Sequence, residues 1–99
     1  MYGPGRKIQE SRLHLEKDHG HLLAGRKYIV VKQFQDYDKG VHPVGETWKF
    51  LGSSFLPYED GLSLFVSLDD VHEWQIRMQW IPEEQGAIID ALEDYVKET

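Results

Sequence analysis

Hydrophobic and polar residues alternate over two successive stretches of the chain, and this period of two is its clearest structural signal. Leu62, Leu64, Val66 and Leu68 alternate through residues 62–68, and Trp74, Ile76, Met78 and Trp80 alternate with Gln75, Arg77 and Gln79. The spacing predicts two strands, each with one face on a core and the other wet or covered by polar groups. Residues 28–34 (YIVVKQF) are apolar on both alternating sets, as expected of a strand whose start is buried on both sides. Residues 47–51 predict a further strand carrying Trp48 and Phe50 on one face. Gly52, Ser53 and Ser54 then read as a turn, and Phe55-Leu56 as a brief strand that Pro57 places at an edge.

Turn chemistry separates these segments. A polar connection over residues 35–44 is punctuated by Asp36, Asp38, Gly40 and Pro43. Tyr58-Glu59-Asp60-Gly61 is a hairpin signature in which Gly61 is expected to take positive φ. After Pro82 the period changes. Ile88, Ala91, Leu92 and Tyr95 recur at i, i+3, i+4 and i+7, with Asp90, Glu93, Asp94 and Lys97 opposite. That stripe predicts an amphipathic helix over about residues 83–97, with Glu83 and Glu84 at the positive end of its dipole. Gly86 is expected to weaken it by up to about 1 kcal/mol relative to alanine.

Residues 1–5 are turn formers expected to be poorly ordered. Residues 7–17 carry a weak helical pattern that His19-Gly20-His21 would end. The organisation expected is an N-terminal arm over residues 1–18, partly disordered or weakly helical, and one globular domain over residues 19–99. The class is mainly β, within α+β. It is either a small SH3-like antiparallel barrel or a bent five-stranded sheet, with a C-terminal amphipathic helix in both cases.

Composition narrows the function classes. No aliphatic run exceeds three residues, so neither a membrane-spanning helix nor a secretory leader is expected. Cysteine is absent, which excludes disulfides, zinc-thiolate sites and a thiol nucleophile, and is compatible with a cytoplasmic protein. The net charge of −6 is unevenly distributed. Residues 1–33 hold seven Lys and Arg against three Asp and Glu, a net of +4, whereas residues 34–99 hold four against fourteen, a net of −10. A basic arm folding across its own acidic body, or an acidic surface meeting a basic partner, both fit this asymmetry. Nucleic acid does not fit, because the acidic body offers no electrostatic funnel for phosphates.

Candidate chemistry is sparse. Asp36, Asp38 and Gly40 have the spacing of a calcium loop, but position 47 is Thr where a bidentate Glu belongs, so a solvated turn is expected. His19 and His21 form a His-x-His pair, but with His14, His42 and His72 elsewhere in the chain no third metal ligand sits at a recognisable spacing. Ser53 and Ser54 lack a nucleophile elbow, and Glu59 and Asp60, adjacent in a turn, point apart. His42 with Glu46 is the best acid–base pair on offer, although Glu46 also suits a carboxylate accepting backbone hydrogen bonds after Gly45.

Tyr37, Trp48, Phe55 and Tyr58 would converge on one side of an SH3-like barrel, where aromatic grooves take extended peptides and acidic rims select basic ones. Asp36, Asp38, Glu59 and Asp60 would form that rim. The core reading is the favoured one for Trp48 and Phe55, whereas Tyr37 and Tyr58 suit the surface.

Residues 19–96 resemble a family of small bacterial proteins known as domain of unknown function 3601. The resemblance is carried by His21-Leu22, Gly25, Tyr28, Phe34, Asp36-Tyr37, the run from His42 through Glu46, Trp48 and Phe50-Leu51-Gly52. The run from Phe55 through Leu62, then Ile76-Arg77, Gln79-Trp80 and the closing helix, complete it. It implies a family, with no activity, cofactor or catalytic residue attached.

The function expected is a non-catalytic module, with no cofactor and no metal, that binds a protein or peptide. The partner is a basic one if the acidic loops select it. The residues expected to bind are Asp36, Tyr37, Asp38, His42, Glu46, Trp48, Tyr58, Glu59 and Asp60. An immunity- or inhibitor-type protein that blocks a basic toxin or nuclease is the first alternative. A small hydrolytic or metal-assisted enzyme using His42 and Glu46 is the second.

Overall fold

The computed structural model describes residues 6–7, 18–56 and 60–99. Expectations for residues 1–5 and 8–17, and for Pro57, Tyr58 and Glu59, lie outside the described residues. The strands are β1 (Arg6–Lys7), β2 (Lys27–Val30), β3 (Phe34–Gln35), β4 (Val41–His42), β5 (Thr47–Leu56), β6 (Gly61–Ser67), β7 (His72–Gln79) and β8 (Val96–Glu98). Two short helices, α1 (Gly86–Asp90) and α2 (Leu92–Tyr95), precede β8. The protein is mainly β. Among the described residues, one antiparallel sheet has the order β1-β7-β6-β5-β2-β8 and a second pairs β3 with β4. The larger sheet is open, with β1 and β8 at its edges, and does not close into a barrel.

Cross-strand partners explain which face is buried. Leu62 faces Met78 and Leu64 faces Ile76. All four side chains are buried in one cluster with Leu22, Tyr28, Val30, Phe34, Trp48, Phe50, Ile89, Leu92 and Val96. The alternation fails at its ends, where Leu68 is 46% and Trp80 38% exposed. The outer face is not uniformly wet either, since Phe65, Ser67 and Glu73 are buried there. Tyr28 is enclosed, and its hydroxyl accepts the Leu23 N–H at 2.6 Å and donates to the His21 carbonyl at 3.2 Å.

Several sequence expectations need correction. The turn expected at residues 52–54 is the middle of β5, one ten-residue strand with a bulge between Phe50 and Gly52. The bulge absorbs the break in alternation that resembles a turn, and it bends the strand. The strand expected over residues 28–34 ends at Val30, and Phe34 begins a separate hairpin inside the segment expected to be a polar connection. At the β5–β6 turn, Asp60 takes the left-handed conformation (φ 50°) in place of Gly61.

The helix expected over residues 83–97 is the largest correction. Ala91 has φ −116° and ψ 27°, which separates α1 from α2, and Val96 is extended at φ −133° and ψ 127°. Val96, Lys97 and Glu98 then pair with Val30, Ile29 and Tyr28. Backbone hydrogen bonding along β2 and burial of Val96 prevail over the helical spacing of Ile88, Leu92 and Tyr95. Gly86 is also more than a weak point. A Cβ there would lie 2.7 Å from the Ile81 carbonyl oxygen, which accepts the Gly86 N–H at 2.9 Å. Among the described residues no helix is long and apolar enough to cross a membrane.

Candidate functional site

The small β3–β4 sheet places a histidine between two carboxylates. Asp36 starts the turn between the strands: its N–H donates to the Gly40 carbonyl at 2.9 Å, and its Oδ1 accepts the Gly40 N–H at 2.8 Å. A Cβ at position 40 would lie 2.8 Å from Asp36 Oδ2, so a side chain there would push on the carboxylate that holds His42. The hairpin register sets Phe34 opposite His42. Pro43 to Glu46 then form a second turn, in which Gly45 has φ 97° and donates its N–H to the Val30 carbonyl at 2.8 Å. That reversal returns the Glu46 side chain to His42, four residues earlier.

The resulting contacts are short. His42 Nε2 lies 2.8 Å from Asp36 Oδ2, and His42 Nδ1 lies 2.8 Å from Glu46 Oε1. Glu46 Oε1 also accepts the Trp48 indole N–H at 3.1 Å. The His42 side chain is 1% exposed, Glu46 4% and Asp36 9%. A neutral imidazole carries one N–H, so two carboxylates at hydrogen-bonding distance require the doubly protonated ring. Burial by itself would lower the His42 pKa. The hydrogen bonds that the ring donates to Glu46 and Asp36, and the negative charges of the two carboxylates, outweigh it and raise the pKa above the ordinary value of 6.5.

The hairpin tip is tied to the main sheet from the outside. The Tyr37 N–H donates to the Arg77 carbonyl at 2.8 Å. The Arg77 guanidinium sits 5.7 Å from the Tyr37 ring centre and 3.5 Å from Asp38 Oδ1. Tyr37 is 40% exposed, and Val41 and Val44 are exposed beside it in sequence.

Six of the nine expected residues therefore belong to one unit: Asp36, Tyr37, Asp38, His42, Glu46 and Trp48. Their roles differ from the expected groove. Trp48 is 3% exposed, so it joins the core, and Phe55 packs half-buried against that core. Glu46 Oε1 is held by the His42 ring and the Trp48 indole. The calcium-like spacing at Asp36 serves a turn, in which Asp36 is committed to Gly40 and His42. Asp60 belongs to a different turn, where its carbonyl accepts the Trp80 N–H at 2.8 Å. Tyr58 and Glu59 lie outside the described residues.

The partnership of Asp36 with His42 escapes sequence reasoning, because the two are joined only once the hairpin register is known. Two other carboxylates are also missed. Asp69 caps the β6–β7 turn, and the His72 backbone N–H, the His72 ring and the Val71 N–H hold its carboxyl well below the usual range. Asp90 accepts the Trp80 indole N–H at 2.9 Å.

A model of the family described as domain of unknown function DUF3601 matches residues 8–98. The chain belongs to the DUF3601 family. Its fold matches a solved structure, an integron cassette protein from the mobile metagenome of Vibrio cholerae, with a TM-score of 0.85 and 40% sequence identity. The match covers 89% of this chain and 97% of that one. The search of curated proteins found no match. In this DUF3601 chain, the polar residues with the best claim to chemistry are thus assembled as a buried clamp, and the exposed groups around the clamp include Tyr37, Asp38, Lys39, Val41, Val44 and Arg77.

Proposed function

We propose that this DUF3601 protein is a non-catalytic interaction module that engages a protein or peptide through the tip of its β3–β4 hairpin. One observation carries the proposal: both ring nitrogens of buried His42 are engaged, by Asp36 and by Glu46. A general base needs an unoccupied nitrogen within reach of substrate, and His42 offers neither that nitrogen nor that access. What the clamp supplies instead is rigidity. It joins the turn that carries Tyr37 and Asp38 to the following turn that carries Val44, with Val41 on the strand between them, so binding there orders few side chains. A basic partner in the bacterial cytoplasm fits the acidic body.

The test is affinity capture from a bacterial lysate followed by titration of the purified partner. Tyr37→Ala combined with Val44→Ser should leave the melting temperature unchanged and weaken binding by about tenfold or more, the signature of a hot spot. Unaltered affinity in that variant would count against the hairpin, and catalytic turnover lost in His42→Gln would count against a non-catalytic role.

A further inference from the structure

We infer that a groove beside Trp80, remote in sequence from the β3–β4 hairpin, receives a lysine or arginine side chain from an extended basic segment of a protein partner. The groove is a cavity of about 410 Å³ lined by Trp80, Ile81, Pro82, Gly86, Ala87 and Asp90. Its walls are mainly apolar, and Trp80 is 38% exposed on it. The indole is held in place. Its N–H donates to Asp90 Oδ1 at 2.9 Å, and Phe55 and His19 form T-shaped pairs with the ring, with centroids 5.7 and 5.9 Å away. An anchored indole face beside a carboxylate suits an organic cation, which gains from the ring quadrupole and from a charge-assisted hydrogen bond together.

The surrounding charge selects the same sign. From Trp80 to Val96 the chain contains no Lys or Arg, while Glu83, Glu84, Asp90, Glu93 and Asp94 are all present and exposed. Among the described residues, none of these five carboxylates lies in an ion pair with Lys or Arg. Asp90 also borders a second cavity of about 190 Å³, with His19, Gly20, His21, Ile89, Leu92 and Glu93. The acidic surface thus continues past the groove on the far side of Asp90. A compact cation would use only the Trp80–Asp90 corner, whereas a chain with several basic side chains would use both cavities and the flanking carboxylates. Electrostatic complementarity of this extent favours the chain.

The test is a titration at physiological salt with an acetylated, amidated Arg-Gly repeat peptide, followed by NMR at the Trp80 indole N–H. Saturable movement of that resonance is expected, with affinity roughly tenfold weaker in Asp90→Asn and reduced again when Glu93→Gln and Asp94→Asn are added. Asp70→Asn, on the β6–β7 turn and outside both surfaces, should leave the affinity unchanged, and a response at Trp80 without one at the Tyr37–Asp38 turn separates this site from the hairpin. The inference is overturned if Asp90→Asn binds as tightly as the parent protein, or if the peptide moves the Tyr37–Asp38 turn in place of Trp80. Methylguanidinium binding as tightly as the peptide would overturn the extended partner.

Discussion

Phe34 and His42 face each other across β3 and β4 with their rings stacked, centroids 4.7 Å apart and planes 21° apart. The stack encloses the histidine from one side, while Asp36 and Glu46 hold its edge at both nitrogens. Cutting the imidazole away leaves two buried carboxylates facing an empty space. His42→Ala is therefore expected to lose about 3–5 kcal/mol of stability, the range for breaking a buried charge pair by removing one partner. Urea unfolding measures this directly, and a loss under about 1 kcal/mol would show the network to be dispensable.

The same network sets a pH dependence. The folded-state pKa of His42 is raised above the unfolded value of 6.5, so the folded protein holds this proton more tightly. The associated stabilisation is complete below pH 6.5 and is lost as pH rises through the folded-state value. The urea midpoint of the parent protein should fall as pH rises above 6.5, and this part of the fall should vanish in His42→Gln. A midpoint that rises through that window in the parent protein would reverse the sign and refute the assignment.

Gly86→Ala separates helix propensity from packing. Propensity favours alanine inside a helix by up to about 1 kcal/mol. The added methyl, however, would meet the Ile81 carbonyl oxygen at 2.7 Å, and that atom is backbone. A net destabilisation of about 1–3 kcal/mol is expected, as for overpacking. Thermal melts that place the variant above the parent would mean that the turn before α1 relaxes freely.

Leu64 and Leu68 share one alternating pattern in the sequence but not one environment, being 0% and 46% exposed. Leu64→Ala should cost about 2–5 kcal/mol, and Leu68→Ala should stay within about 0.5 kcal/mol of the parent. Equal effects in paired denaturation curves would contradict the stated burial.

The sequence was most legible where local and global demands coincide. Alternation at Leu62, Leu64 and Val66 and at Ile76 and Met78 marks both the strands and their inward faces, because the sheet has one dominant core. It was least legible where distant pairing decides. Nothing local distinguishes Val96 in a helix from Val96 on the edge of β2, and the free backbone groups of β2 settle it. The site shows the same division. His42 with Glu46, four residues apart, stood out as a pair. Asp36 looked like an ordinary turn residue, since its second role exists only after Phe34 and His42 come into register. Trp80 with Asp90 required the fold as well, because β7 and α1 approach each other through the turn at Pro82.

Both groups of surface candidates depend on how β5 is built. Up to Phe50 its inward side chains are even-numbered, at Trp48 and Phe50; beyond the bulge they are odd-numbered, at Ser53 and Phe55. The inserted residue thus acts as a change of parity within one continuous strand. One half of β5 anchors Trp48 beneath the His42 clamp, and the other half turns Phe55 towards Trp80. The hairpin and the groove proposed above are thereby both braced by a single strand, whose two halves differ in parity because of the irregularity between Phe50 and Gly52.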